Sequence, residues 1–540
     1  MGALQDIFSR YEGQIVFVTI VLFFVLSLTL CVSGFFYSDW DPAAIVQGVY
    51  SLLDGHPETA GVDYYSNHPN NLLLVWLYHK VLLISSMVGI RSIIAIVAFQ
   101  CIILAFSEYL FYRILADILN NRVQAYVGLL IFELWWGLSP WFIITYSDEA
   151  GFIFPLILIR LYQKITRCKY NCRNGNAKAY RGGKESTKKV PEVLVYTGCW
   201  VLMGVIAGIG YFIKPQIVIV FIACVITEIL RISSGRCAAP GVQPADMREG
   251  REGDLDDMDE KDQRHEKDIK DITCTGVRLL AVFVSLGGII LAFIIVKALI
   301  IPSMGIDLDS SRSFGMAHYF MMGLNDATDG VYSDEDTLFT DSYDTPREKR
   351  EADLSVAGKR IREYGIAGLI KHSCRKILVN YNDGLFAWGI DGNFFAGRLS
   401  EGWGDVDETM FTPFVERFIR PDGSDHGKYA AYLQMIWIMV QFMCLISGIC
   451  FLIWQYGRGS GLFDKGIGAV SGVDMNTDSD KEKEAVSSSM VVYAVMLSLT
   501  GIFLFELLFE AKARYLIIFA PIYLLMALCI AGFKNNNTRY

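Results

Sequence analysis

The chain has 540 residues, 53% of them hydrophobic, with 34 Phe and a formal net charge of -9. Several apolar runs reach the roughly 18–20 residues that cross a bilayer core, which excludes a soluble globular protein and indicates a polytopic membrane protein. The acidic balance argues against nucleic acid as a partner, and says little more, because the two sides of a membrane protein carry charge separately.

The start "MGALQD" has Asp6 where a myristoylation motif carries Ser or Thr, so no lipid anchor is implied. The first apolar run, about 15–36, is too long for a signal-peptide core and lacks a small-residue cleavage pattern before Asp39, so it reads as a retained span. It runs into "SDWDPAAIVQGVYSLLDG". Asp41 precedes Pro42 and a stretch with Ile45, Val46, Val49, Leu52 and Leu53 at helical spacing, an N-cap followed by proline at the first helical position. Asp39 has no such structural job, which makes it the better candidate for chemistry.

Next comes "YYSNHPNN", a rigid polar turn before an apolar helix. Asn70 or Asn71 caps that helix, or His68 points into a space shared with the acids. The run 70–89 is long enough to span but is interrupted by His79 and Lys80. Further candidate spans are 92–113, 123–146, 150–164, 194–213, 216–232, 277–300, 432–454, 490–509 and 515–533. The loop 160–193 is densely basic and belongs in the cytoplasm by the positive-inside rule. It stays there only if 70–89 lies on the outer interface without crossing. The count is then about ten spans, with both termini cytoplasmic.

The expected fold is therefore an all-α polytopic membrane protein with external juxtamembrane helices and a small external loop domain. It divides into a transmembrane core, 1–232, with a first external loop at 37–91, and a charged cytoplasmic tether, 233–276, expected to be disordered. A span at 277–300, an external domain at 301–431 and C-terminal spans at 432–540 follow, the last interrupted by a cytoplasmic loop at 455–489. Of 12 cysteines only Cys374 falls in an external segment, so no disulfide framework is expected. Cys168 and Cys172 have a loose ligand-like spacing without a nearby histidine, and no metal site is expected there.

On this topology the unusual charges at span ends share one side: Asp39 and Asp41, Asp148 and Glu149 in "TYSDEAGF", Lys214 in "YFIKPQ", and Glu510, Lys512 and Arg514 in "EAKARYL". Charges at such depths cost several kcal/mol unless paired or solvated, so their common placement marks a site. Each also has a plain reading: Lys214 and Arg514 as snorkelling side chains, Ser147 or Asp148 as a helix cap.

In order and sidedness these motifs resemble the GT-C superfamily of membrane glycosyltransferases. The likeness is to bacterial family-39-type enzymes, related to protein O-mannosyltransferases and aminoarabinose transferases. The first-loop acid of "SDWDPAAIVQGVYSLLDG", the turn "YYSNHPNNLLL", then "TYSDEAGF", "YFIKPQ" and "EAKARYL" carry it, with "AHYFMMGLNDATDGVYSDED" similar to a post-core external loop.

The resemblance implies inverting transfer of a sugar from a polyprenyl-phosphate donor to a lipid, glycan or protein acceptor of the cell envelope. Asp39 would be the general base, with Lys214 and Arg514 on the leaving phosphate and Asp148 orienting a cation or the acceptor. Asp41, His68, Asn70, Glu510 and His318 are further candidates for substrate contact. The resemblance fixes no cofactor and leaves a divalent cation open. Some relatives use a divalent cation, which an Asp39/Asp148 pair has the chemistry to hold, but the reading is against one. Asp41 departs from the family pattern by making a DxD-like pair. The rival readings are a secondary transporter, a lipid-linked polymer ligase and a lipid-binding scaffold. The absence of an internal repeat weakens the first of these.

Overall fold

A computed structural model describes residues 2–168, 192–233, 256–391, 395–397, 403–457 and 479–531. Seven helices are long and apolar enough to cross a membrane: Phe8–Ser33, Ile94–Leu119, Val193–Ile213, Pro215–Ser233, Thr275–Met304, His426–Gln455 and Ser487–Leu508. The protein is an all-helical polytopic membrane protein. The sequence reading counted ten spans, and its other three fall on shorter elements: Arg122–Trp136, Phe154–Arg167 and Ala513–Leu528.

In chain order, α1 (Gly2–Ser33) leads to a short strand, β1 (Tyr37–Ser38), and then to α2 (Asp41–Asp54), α3 (Val62–Asn67) and α4 (Leu72–Ser86). Helix α4 has 15 residues, about 22 Å at 1.5 Å per residue, against a bilayer core of about 30 Å. Helices α5 (Ile94–Leu119), α6 (Arg122–Trp136), the single turn α7 (Ser147–Gly151), α8 (Phe154–Arg167), α9 (Glu192–Ile213) and α10 (Val218–Ser233) complete the first half of the bundle.

Helix α11 (Asp256–Ile294) starts well before its apolar stretch. Residues 256–276, expected to belong to a disordered tether, are helical. Low hydrophobicity made the segment look unstructured, but its Glu, Lys, Asp and Arg residues recur at spacings that favour a solvated helix. The rest of the expected tether, 234–255, and most of the loop 455–489 lie outside the described residues, as does Cys172.

The segment 301–431 carries α12 (Met316–Gly323), α13 (Asp334–Asp341), α14 (Pro346–Tyr381), α15 (Trp388–Asp391), the strand β2 (Phe395–Gly397) and α16 (Thr412–Ile419). Met321, Leu324 and Ala357 form its own small core. Arg360 bridges Asp336 at 2.7 Å, and Asp336 also accepts from Asn325 at 2.9 Å. β2 pairs antiparallel with β1, tying this segment to the first loop.

Helices α17 (His426–Gly457), α18 (Ser479–Leu508) and α19 (Ala520–Leu528), the last preceded by a 3-10 turn Ala513–Phe519, close the bundle. Residues 385–388 of "NDGLFAWG" are buried in its aromatic core, where Phe386 stacks on Trp136 at 5.5 Å. Trp141 donates to the Leu385 carbonyl at 2.8 Å.

Candidate functional site

Four turns converge at one end of the bundle. The first leaves α1 through β1 and enters α2 at Asp41, with Pro42 in the first turn and Trp40 at the cap position. No side chain caps α2, so Asp41 is not the cap its sequence context indicated. Its Oδ2 instead accepts the Tyr146 hydroxyl at 2.7 Å. Asp41 is half-buried while Asp39 is exposed. A tyrosine 105 residues away thus claims the carboxylate that local spacing assigned to the helix.

The second turn, α7, buries Asp148 and Glu149 completely. Asp148 does not cap a helix either. Its carboxylate pairs with Lys214, and the Arg514 Nε lies 3.7 Å from its other oxygen. Lys214 comes from the third turn, between α9 and α10, where its extended backbone and the following Pro215 end one helix and start the next. Arg514 comes from the fourth turn, after α18.

Aromatic rings join these groups. The Arg514 guanidinium lies 4.1 Å from the Trp40 ring and 5.0 Å from that of Tyr146, and Lys214 sits 4.7 Å from the Tyr515 ring. Lys512 also faces Trp40, at 5.7 Å. Cation–π contacts of this kind gain when desolvated, as here. Glu510 accepts the Tyr515 hydroxyl at 2.8 Å. Burial raises the Glu510 and Glu149 carboxyls above their ordinary range, which favours their neutral forms and leaves the cations less compensated.

The remaining candidates lie to one side. His68 continues an aromatic chain, Tyr64–His68–Phe314–His318, with centroid separations of 5.0, 5.5 and 4.6 Å. Burial lowers the His68 pKa against the opposing pull of Asp41. His318 is buried, bonds Thr340 at 2.8 Å, and is pulled down to about 4 by burial. Neither Asn70 nor Asn71 caps α4: Asn70 donates to Asn71 at 3.3 Å, and Asn71 to the Tyr64 hydroxyl at 2.6 Å. Among the described residues no three His, Cys, Asp or Glu side chains are arranged to hold a metal ion.

Sequence reasoning missed Trp40, Tyr146 and Tyr515, although all three sit inside the motifs quoted for their charges. It also missed Glu108 on α5 and Glu133 on α6, both fully buried. Their signal was plain, an acid set well inside each apolar run.

Fold and site together define an integral, multi-pass membrane protein with a paired charge cluster at one end of its helices. Residues 2–454 match the family described as conserved hypothetical integral membrane protein, and the chain belongs to that family. That description names no activity. Asp41, Asp148 and Lys214 fall inside the matched region; Glu510 and Arg514 lie beyond it. Neither the curated proteins nor the solved structures include a match to this chain.

Proposed function

We propose that the protein is an inverting glycosyltransferase of the GT-C type, moving a sugar from a polyprenyl-phosphate donor to an envelope acceptor on the outer face. The observation that carries this reading is the bridge made by Tyr146, which joins the half-buried Asp41 carboxylate to the Arg514–Asp148–Lys214 group. An acceptor hydroxyl oxygen attacks the anomeric carbon and its proton passes to a carboxylate. The bond to the donor phosphate breaks with its electron pair staying on phosphate. Asp41 is the base in this proposal, in place of the exposed Asp39. Lys214 and Arg514, held in position by Asp148, meet the charge that builds on the leaving phosphate. Ten passages of the chain, three of them through the shorter helices, with both termini cytoplasmic, complete the proposed arrangement.

The test is transfer from polyprenyl-phosphate sugars by purified variants in nanodiscs. Asp41→Asn should lower turnover by about 10²–10⁴-fold, the usual loss for a general base, with donor binding retained. Asp39→Asn should transfer like the parent. The opposite pattern returns the base to Asp39. Full activity in both removes the base from the first loop, and a parent protein that transfers nothing removes the enzyme.

A second reading draws on Glu108 and Glu133, which lie side by side between α5 and α6. Ionisable groups inside spans mark proton or ion pathways by default, so a proton-coupled transporter is the alternative. Proteoliposomes that move protons with a solute, and lose this in Glu133→Gln while Asp41→Asn keeps it, would decide for it.

A further inference from the structure

Helix α14 changes character at Gly365, where a φ of 55° interrupts it. Before that point its outer face is charged, with Arg347, Glu351, Lys359 and Glu363 exposed. After it the pattern inverts. Ile366, Ile370 and Leu378 are 81%, 61% and 63% exposed, while His372, Lys376 and Asn380 are 2%, 0% and 1% exposed. Cys374 is exposed as well. Positions 366, 370, 374 and 378 follow one another at four-residue spacing, so they form a single stripe. The polar side chains face inward and the apolar ones outward, the reverse of a helix that meets water.

Two contacts fix the depth of this segment. Lys376 donates to the carbonyls of Leu507 and Phe509 at the end of α18, the Leu507 bond measuring 3.0 Å. The Tyr381 ring lies 6.0 Å from that of Phe503, inside the span Ser487–Leu508, and 6.5 Å from that of Trp437 in α17. Helix α14 therefore descends alongside α18, its last turn below the span's end. Ile370 stands about 16 Å up the helix from Tyr381 at 1.5 Å per residue. Leu504 and Leu508 of α18, at the end of the span beside it, are themselves 52% and 51% exposed. No Asp or Glu occurs from Tyr364 to Asn382, and the exposed Lys371 follows Ile370 directly.

We infer that residues 366–381 are embedded in the bilayer interface. Ile366, Ile370, Cys374 and Leu378 lie against acyl chains, Lys371 reaches the headgroup phosphates along its own stem, and Gly365 is the point where the helix leaves the membrane. The partner of this surface is the lipid bilayer, not a second protein.

The experiment replaces the other eleven cysteines with serine or alanine and places a nitroxide on Cys374, and on Ile370→Cys and Leu378→Cys in the same background with Cys374→Ser added. Lys359→Cys, also in that background, is the aqueous control, and all samples are in nanodiscs. Collision with oxygen should stay high at 370, 374 and 378. Collision with a water-soluble nickel chelate should be roughly tenfold lower there than at 359, an exclusion of about 1.4 kcal/mol. Equal access of the chelate at all four positions would put the stripe in water and overturn the inference. Labels closed to both colliders would mean that protein, such as a second copy, covers the stripe, which overturns it too. Thermal unfolding of each labelled variant, matched to that of the parent, keeps a failure to fold apart from a failure of the inference.

Discussion

Asp148 is completely buried with two cations beside it, and removing its charge would leave both of them in a low dielectric. Asp148→Asn should therefore cost about 3–5 kcal/mol, the usual penalty for breaking a buried pair from one side. The double variant Asp148→Leu/Lys214→Met should recover part of this, since it removes charge from both partners. Thermal unfolding in detergent reads the difference, and a double variant less stable than the single one would contradict the pairing. At this scale the sequence was legible where charge interrupts apolar flanks, because the cost of burying charge demands a partner; Lys214 and Arg514 stood out for that reason. The choice between Asp39 and Asp41 was not legible. Capping logic sees a few neighbours along the chain, and the group that takes Asp41 is Tyr146.

Helices α9 and α11 meet through small residues. A Cβ on Gly288 would come 2.5 Å from the Val201 carbonyl oxygen, and one on Gly208 would come 2.6 Å from the Ala292 Cβ. Close backbone approach of this kind holds helices together in lipid, where no hydrophobic force separates helix from solvent. Gly288→Ala should destabilise by about 1–3 kcal/mol through overpacking against backbone. Its neighbour Gly287 has nothing within 4 Å of the same atom, so Gly287→Ala should be neutral or stabilise by up to about 1 kcal/mol. Unfolding midpoints of the two variants test the contrast, and equal shifts would remove it. The positions of the long spans were readable from apolar length alone, but α1, α17 and α18 begin at Gly2, His426 and Ser479, ahead of the apolar runs that marked them. Helix α4 was read as non-crossing from loop charge; its length does not separate it from α6, which also has 15 residues. The helical start of α11 was missed because low hydrophobicity removes a reason to fold without removing helix propensity.

Across the whole molecule the two ends of the bundle differ. At the end opposite the Asp148 cluster, Asp117 pairs with Arg160 and with Arg167, the latter at 2.9 Å, just before the basic loop. With that end cytoplasmic, a cysteine placed at 180 should be protected from an impermeant reagent added outside intact cells. One placed at 60 should be modified. The reverse pattern would turn the chain over in the membrane. The contrast in charge between the first loop and the basic loop was legible. The pairing of β1 with β2 was not, since two residues against three, more than 350 positions apart, leave no periodicity to detect.

That the four turns of the cluster are scattered along the chain also sets an order of assembly. Asp148 and Lys214 emerge first and can enter the bilayer as a neutral couple. Arg514 follows 300 residues later, roughly 15–60 s at synthesis rates of 5–20 residues per second. Until then the rings of Trp40 and Tyr146, in contact with each other at 5.3 Å, have no guanidinium against them. A ribosome that stops between the end of α18 and residue 514 leaves a membrane-inserted chain that lacks α19 and whose cluster is short of its guanidinium. In such a chain the touching rings of Trp40 and Tyr146 are left uncovered on the face that Arg514 would occupy, and that face is where quality control would have to look.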